Sequence, residues 1–136
     1  MVLLYADELV ELEHAAIDDI LFAELKETRP LPAPEFKRVI MSVVTGAREH
    51  QVKKMLLDFS KNALDMTGME YRSIMAQLTV GLMRSPAQKV ARMATTDMER
   101  EQLFRSVCDE IHVAIKQPIE FLSFGDRAEA LQWLKR

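Results

Sequence analysis

Residues 53–71 read KKMLLDFSKNALDMTGMEY, and this stretch decides the fold. The apolar run 55–57, MLL, is too short for a helix, and Asp58 ends it. A short apolar run bounded by polar residues predicts a β-strand that is buried on both faces of a sheet. The segment 65–69, DMTGM, then begins the next helix. The stretch therefore predicts a central strand that leads through a loop into a capped helix.

The composition predicts a single domain that spans residues 1–136. With 49% hydrophobic and 29% charged residues, the chain can bury a core without disulfides or a structural metal. A net charge of -3 without a basic stripe argues against nucleic-acid binding. No window approaches the roughly 18 consecutive apolar residues of a membrane-spanning helix. The single cysteine, Cys108, and the absence of a secretion-signal pattern indicate a cytoplasmic protein.

The first 26 residues predict strands. Residues 10–13 alternate between apolar and polar side chains, residues 18–19 form a turn signal, and residues 21–26 alternate again. This pattern is typical of a β-hairpin. Residues 2–5 either form a separate edge strand or begin the first strand of the hairpin. The segment 28–34 contains three prolines, which lack the amide that a strand ladder requires, and it is predicted to be a linker within the domain.

Four later segments have the three- and four-residue apolar spacing of amphipathic helices. Thr67–Glu70 and Thr96–Glu99 have the residue types and spacing of a capping box, and Asp126 is predicted to cap the last helix. Residues 89–94 and 119–124 are predicted strands. Strands that alternate with helices imply parallel crossovers. The sequence thus predicts an α/β domain in which an N-terminal β-hairpin precedes repeated β-α units, with a mixed, mostly parallel sheet of four to five strands and about four helices.

Two segments carry a resemblance to a known family. The order of elements, the strand ending LDFS at 57–60 and the segment Asp65–Met69 resemble the STAS domain, the SpoIIAA-like fold of anti-sigma factor antagonists. That family usually has an aspartate, two small hydroxyl residues, a glycine and an apolar residue in the second segment. The ending 127–134, RAEALQWL, is also similar to the bacterial stand-alone branch described as STAS-like. The resemblance implies one SpoIIAA-like domain over nearly the whole chain.

The resemblance also implies a mode of regulation. Antagonists of this kind bind a kinase that is also an anti-sigma factor, and a phosphate on a hydroxyl residue after the aspartate abolishes the contact. About two added negative charges at an interface impose repulsion and a desolvation cost. Met66 occupies the first hydroxyl position of the family pattern, whereas Thr67 matches the second. Thr67 is therefore a candidate phosphoacceptor, and the alternative is that it only caps its helix.

The function that the sequence favours is a non-enzymatic regulatory module that docks onto a protein partner. The docking surface would be the loop and helix start of residues 58–75, which we call the rim. We expect the partner to be a regulator of the kinase or anti-sigma type. The predicted partner-binding residues of the rim are Asp58, Ser60, Asp65, Met66, Thr67, Gly68 and Met69. The edge strand near the hairpin could instead support a homodimer.

A second hypothesis places a small molecule, a lipid or an enzymatic reaction at the carboxyl ends of the strands, around Asp58, Ser60 and Thr96. No cofactor is expected, because the four glycines are not grouped into a phosphate-binding loop. A metal site is not expected either. The three histidines lie on different elements without ligand-like spacing, and none forms a nucleophile motif with Cys108. We therefore expect no enzyme activity.

Overall fold

The computed structural model describes residues 1–136, in which strands and helices alternate along the chain. The strands are β1 (Val2–Ala6), β2 (Val10–Ala15), β3 (Ile20–Leu25), β4 (Leu31–Pro32), β5 (Lys54–Asp58), β6 (Leu64–Asp65), β7 (Lys89–Met93) and β8 (Glu120–Phe124). The helices are α1 (Ala33–Glu49), α2 (Gly68–Met83), α3 (Met98–Ala114) and α4 (Arg127–Leu134). None of the four helices is long and apolar enough to cross a membrane.

Six strands form one mixed sheet in the order β1-β2-β3-β5-β7-β8. Strand β2 is antiparallel to both of its neighbours, β1 and β3, and β5, β7 and β8 extend the sheet in parallel from β3. The predicted hairpin is present as β2 and β3. The sheet has six strands rather than four to five, because Val2–Ala6 forms a separate antiparallel strand at the edge. The strand order never reverses, so the sheet lacks the switch point at which many α/β proteins bind ligands.

The strand order also determines where the helices lie. Helices α1, α2 and α3 share one core of 27 buried residues on one face of the sheet. The helices between parallel strands form right-handed crossovers. When each crossover adds the next strand on the same side of the previous one, the connecting helices are expected on the same face of the sheet. Helix α4 packs on the other face, against β5, β7 and β8. The smaller core on that face consists of Ile20, Leu56, Ala91, Ala130 and Leu134.

Strand β5 is buried on both faces, as the apolar run predicted. Met55, Leu56 and Leu57 are 0%, 1% and 4% exposed. Met55 and Leu57 belong to the core under the three helices, and Leu56 belongs to the core under α4. Burial of each side chain contributes about 1.5–3 kcal/mol relative to its exposed state. Strand β5 therefore contributes to the apolar cores on both faces of the sheet.

The prediction that the proline-rich segment 28–34 contributes to no strand ladder is wrong at two residues. Leu31 and Pro32 pair in parallel with Leu64 and Asp65. Pro32 is tolerated because the pair is only two residues long, and the Leu31 amide supplies a hydrogen bond of 2.9 Å to the partner segment. This small ladder fixes the chain just before α2 begins.

Two of the three predicted helix caps are confirmed. The Thr67 hydroxyl accepts a hydrogen bond from the Glu70 amide over 3.1 Å, and the Thr67 amide donates to the Glu70 carboxylate over 2.9 Å. These two bonds form the predicted capping box. Asp126 caps α4 by accepting from the Ala128 amide over 3.1 Å. The start of α2 is thus set by local sequence as well as by packing.

The third predicted cap, Thr96, is wrong by one residue. Asp97 is the N-cap of α3, and its carboxylate accepts from the amides of Glu99 and Arg100 over 3.1 and 3.3 Å. A carboxylate also interacts favourably with the positive end of the helix dipole, which a hydroxyl does only weakly. The spacing from Thr96 to Glu99 matched the capping-box pattern without forming the box.

Helices α1 and α2 approach each other closely at Gly81. A Cβ atom added there would lie 2.6 Å from Cγ1 of Val44 and 3.4 Å from its Cβ. Val44 is 6% exposed and belongs to the main core. Because a β-branched side chain has little rotameric freedom in a helix, it cannot easily move away.

We expect Gly81→Ala to lower the free energy of unfolding by about 1 kcal/mol. Overpacking should cost about 1–3 kcal/mol, and the better helix propensity of alanine should offset up to about 1 kcal/mol of this. Urea denaturation measures the change. Gly125→Ala is the matched control, because nothing lies within 4 Å of a Cβ at that position. Equal changes in the two variants would contradict the close-approach explanation.

Candidate functional site

The rim begins where β5 ends, with a tight turn at Asp58. One oxygen of the Asp58 carboxylate accepts hydrogen bonds from the Ser60 hydroxyl over 2.6 Å and from the Ser60 amide over 3.2 Å. This is the local turn that aspartate commonly forms with the residue two positions ahead. Asp58 and Ser60, two of the residues predicted to bind a partner, thus shape the loop through their hydrogen bonds to each other.

Two side chains outside the predicted set hold this loop in place. Asn62 is 3% exposed, and its amide nitrogen donates to the carbonyl oxygens of Glu27 and Arg29. Arg100, from the first turn of α3, donates to the carbonyl oxygen of Phe59 over 2.8 Å and to that of Asn62. The loop is thus joined both to the segment that follows β3 and to α3. Nothing in the local sequence pattern marks Arg100 as a partner of a loop about 40 residues earlier.

Arg100 is mostly buried and lacks an ion-pair partner. Burial lowers the pKa of its guanidinium, and repulsion from Arg92 lowers it further. Its Nε atom and Oδ1 of Asn62 are buried without a hydrogen-bond partner. Unpaired buried polar atoms cost free energy, so the loop is held by contacts that are themselves partly unsatisfied.

A buried ion pair lies beside that junction. Arg92 of β7 is 9% exposed and donates two hydrogen bonds, of 2.7 and 2.8 Å, to the carboxylate of Glu101 in α3. The Arg92 guanidinium also lies 4.1 Å from the centre of the Phe104 ring. Glu101 accepts two more bonds, from the Thr95 amide over 3.1 Å and from its hydroxyl over 2.8 Å. The hydrogen bonds from Arg92, followed by those from Thr95, lower the pKa of Glu101 to about 2.

The exposed part of the rim is the start of α2. Asp65, Thr67 and Gly68 are exposed, and the Met69 side chain is 77% exposed. Met66 is only half-buried and packs against the main core. The rim therefore presents one large apolar side chain to solvent, that of Met69.

The apolar surface continues along α2 on the face opposite its buried residues. We call the four apolar side chains of this face the outer stripe: Met69, Ala76, Val80 and Met83. Successive members are seven, four and three residues apart, which places them on one side of a helix. Val80 and Met83 are 43% and 41% exposed. The spacing of the outer stripe is present in the sequence. It was not predicted as a surface, because the buried residues, which include Tyr71 and Leu78, form the stronger apolar pattern of this helix.

The residues of the ligand-binding hypothesis do not form one site. Asp58 and Ser60 are hydrogen-bonded to each other, whereas Thr96 forms no hydrogen bond with either of them. None of the five principal grooves on the surface is lined by any of the three. No group of three or more His, Cys, Asp or Glu side chains is arranged to hold a metal ion. Asp58, Ser60 and Thr96 therefore do not line a common pocket.

Another groove lies away from the rim, between α3 and β8. This groove has a volume of about 450 Å³ and is lined by Cys108, His112, Phe121 and Trp133 among others. Burial raises the pKa of the Cys108 thiol to about 11. The thiol is therefore protonated and weakly nucleophilic at neutral pH.

Comparison with known proteins identifies the fold. No protein-family model matches this sequence, and no curated protein matches it. Among solved structures, the chain is similar to an uncharacterized protein of the DUF3478 family from Shewanella loihica PV-4, which has a SpoIIAA-like fold. The two share 15% identity and a TM-score of 0.57, over 96% of this chain and 98% of the other. The protein has a SpoIIAA-like fold.

This result confirms the fold expected from the resemblance to STAS domains. In the SpoIIAA-like fold of this chain, the rim lies at the carboxyl end of the central parallel strand, between β5 and α2. At 15% identity the likeness concerns the fold alone. What the surface does must therefore be argued from its own residues.

The ion pair next to the rim makes stability depend on pH. In the unfolded chain Glu101 has a pKa of about 4.3, against about 2 in the folded protein. A pKa that is lower in the folded state stabilises the protein above the unfolded value, and this stabilisation is lost as pH falls from about 4.3 towards 2. At neutral pH we expect Glu101→Gln to cost about 3 kcal/mol, because it leaves Arg92 buried without its charge partner.

Urea denaturation at several pH values measures this effect. The difference in unfolding free energy between wild type and Glu101→Gln should shrink steadily from about pH 5 to about pH 3. Glu99→Gln is the control, since the side chain of Glu99 is exposed and forms no ion pair. A pH-independent difference for Glu101→Gln would show that the carboxylate charge does not matter.

Proposed function

We propose that this protein is a non-enzymatic, cytoplasmic interaction module that docks a protein partner through the rim and the outer stripe of α2. The observation that carries the proposal is the outer stripe. Its members extend from Met69 to Met83, about 21 Å along the helix; Met69, Val80 and Met83 are 77%, 43% and 41% exposed, whereas Ala76 is half-buried against the main core. Exposed apolar side chains aligned on one face of a helix are typical of protein-binding sites.

Flexible thioether side chains at both ends suit the stripe to this role. Methionine can repack against apolar surfaces of different shape, and it is frequent at binding surfaces for that reason. The loop before the stripe is ordered by Asn62 and Arg100, and the helix start is fixed by the capping box of Thr67. A surface that is ordered before binding loses little conformational entropy when it binds.

Two cations near the stripe are free to pair with carboxylates of a partner. Lys37 and Arg84 are exposed and have no ion-pair partner, whereas Arg72 is paired with Glu110 over 2.7 Å. Lys37 and Met69 line the same open groove, of about 520 Å³, between α1 and α2. We therefore propose a partner that presents apolar side chains flanked by carboxylates. The resemblance to STAS domains suggests a regulator of the kinase or anti-sigma type.

Thr67 is the proposed point of control. Its hydroxyl is exposed and lies at the N-terminus of α2, where a phosphate is tolerated electrostatically. The Glu70 carboxylate already occupies this position by accepting from the Thr67 amide. A phosphate on Thr67 would repel Glu70 and add negative charge two residues from Met69. Phosphorylation would thus disfavour an acidic partner.

Substitution of the stripe tests the docking proposal. We expect Met69→Ser with Val80→Ser to leave the melting temperature nearly unchanged, because both side chains are exposed. Partners captured by the tagged wild-type protein from an extract of its source organism should be lost by the double variant. Val113→Ser, which changes a side chain on α3 that is 86% exposed, should capture them as wild type does. Undiminished capture by the double variant would overturn the proposal.

The capping role of Thr67 can be measured separately. Thr67→Ala should lower the free energy of unfolding by about 1 kcal/mol, because the Glu70 amide loses its acceptor. Thr67→Ser keeps a hydroxyl and should change stability little. Mass spectrometry of the protein from its native host then tests modification. If Thr67 caps the helix but is never phosphorylated, then it is not the point of control. The docking proposal would still stand in that case.

A further inference from the structure

The outermost strand of the sheet, β1, has an unpaired edge. It pairs only with β2, so one row of its backbone amide and carbonyl groups faces away from the sheet. Its sequence, VLLYA, contains neither a charged residue nor a proline. Val2, Leu3 and Tyr5 are 59%, 56% and 43% exposed. Edge strands are normally protected by charges or proline, because an unprotected edge pairs readily with another strand.

The opposite edge of the sheet differs. Strand β8 begins with the exposed Glu120, and Pro118 lies just before it. Among its large apolar side chains, only Leu122 is exposed. A charge and a proline at one end protect this edge in the usual way. The two edges of one sheet are therefore protected to different degrees.

We propose that β1 pairs antiparallel with β1 of a second copy of this chain, which would join the two sheets into one of twelve strands. An antiparallel strand pair is compatible with a two-fold axis, so the same surface serves on both copies. Because β1 is uncharged, two identical strands meet without the repulsion that like charges would cause. The proposal uses no residue of the rim or the outer stripe, and it is independent of the docking function.

A groove beside β1 fits this arrangement. It lies between β1 and α1, has a volume of about 330 Å³, and is lined by Leu4, Tyr5 and Met41 among others. Tyr5 pairs in register with Leu12, a residue of the main core, so the Tyr5 side chain lies on the helix-covered face. Val2 and Tyr5 of the second copy would reach this face at the seam. They would supply the apolar atoms that cover the groove.

The geometry also limits the strength of the dimer. The strand has five residues, and its register shifts between Leu3 and Tyr5. A β-bulge of this kind shortens the stretch that can pair. We therefore expect the dimer interface to bury less than about 1,200 Å² of accessible surface in total, which is the range of weak and transient interfaces. We expect a dimer that forms at micromolar concentrations and dissociates on dilution.

Sedimentation velocity between about 5 and about 500 μM tests the proposal. Wild type should shift from monomer to dimer over this range. Val2→Lys with Leu3→Lys should remain monomeric or dimerise at least about tenfold more weakly, since lysine protects an edge strand. Val113→Lys, an exposed change far from the edge, should behave as wild type. A wild-type protein that stays monomeric throughout would overturn the proposal.

Two further measurements locate the contact. Amide hydrogen exchange of wild type should slow in β1 as the concentration rises, and exchange in β8 should not change. Leu122→Lys should leave the dimer intact. If Leu122→Lys abolishes association, or if β1 exchange is independent of concentration while dimers form, then another surface forms the contact and the proposal fails. Assemblies larger than a dimer would also refute it, because a closed two-fold pair cannot grow.

Discussion

The burial of β5 between two helical layers is the constraint on which the rest of the molecule depends. Met55 and Leu57 belong to one core and Leu56 to the other, so the strand has no face on which a polar side chain would be tolerated. The apolar run stops at Asp58, the last residue of β5, and the chain leaves the sheet there. The position of the rim follows directly from where the apolar run stops.

The loop that leaves the sheet is ordered by side chains that arrive from distant parts of the chain. Arg100 binds the carbonyl oxygens of Phe59 and Asn62, and it does so as a buried cation without a carboxylate partner. The neighbouring Arg92 has such a partner in Glu101. The paired arginine thus lies on the inner strand β7 and the arginine without a carboxylate partner lies against the loop.

Much of the fold was accessible from the sequence, because its signals are local. The apolar run at 55–57 and the capping box at Thr67 each determine their own structure through contacts between near neighbours. The misplaced cap shows the limit of such patterns. Thr96 satisfied the spacing, but the adjacent Asp97 is the stronger acceptor. The contact of Arg100 with a loop far away in the sequence depends on tertiary packing, and no pattern within a short window contains it.

The sequential strand order has a consequence for how the chain acquires its structure. The six strands of the main sheet lie side by side in the order in which they occur along the sequence. Contacts therefore join segments that are close along the chain, which lowers contact order and favours fast folding for an α/β protein. During synthesis each new strand would find its neighbour already in place. Only α4, which follows β8 and packs across β5 and β7, has to return to a part of the sheet made earlier.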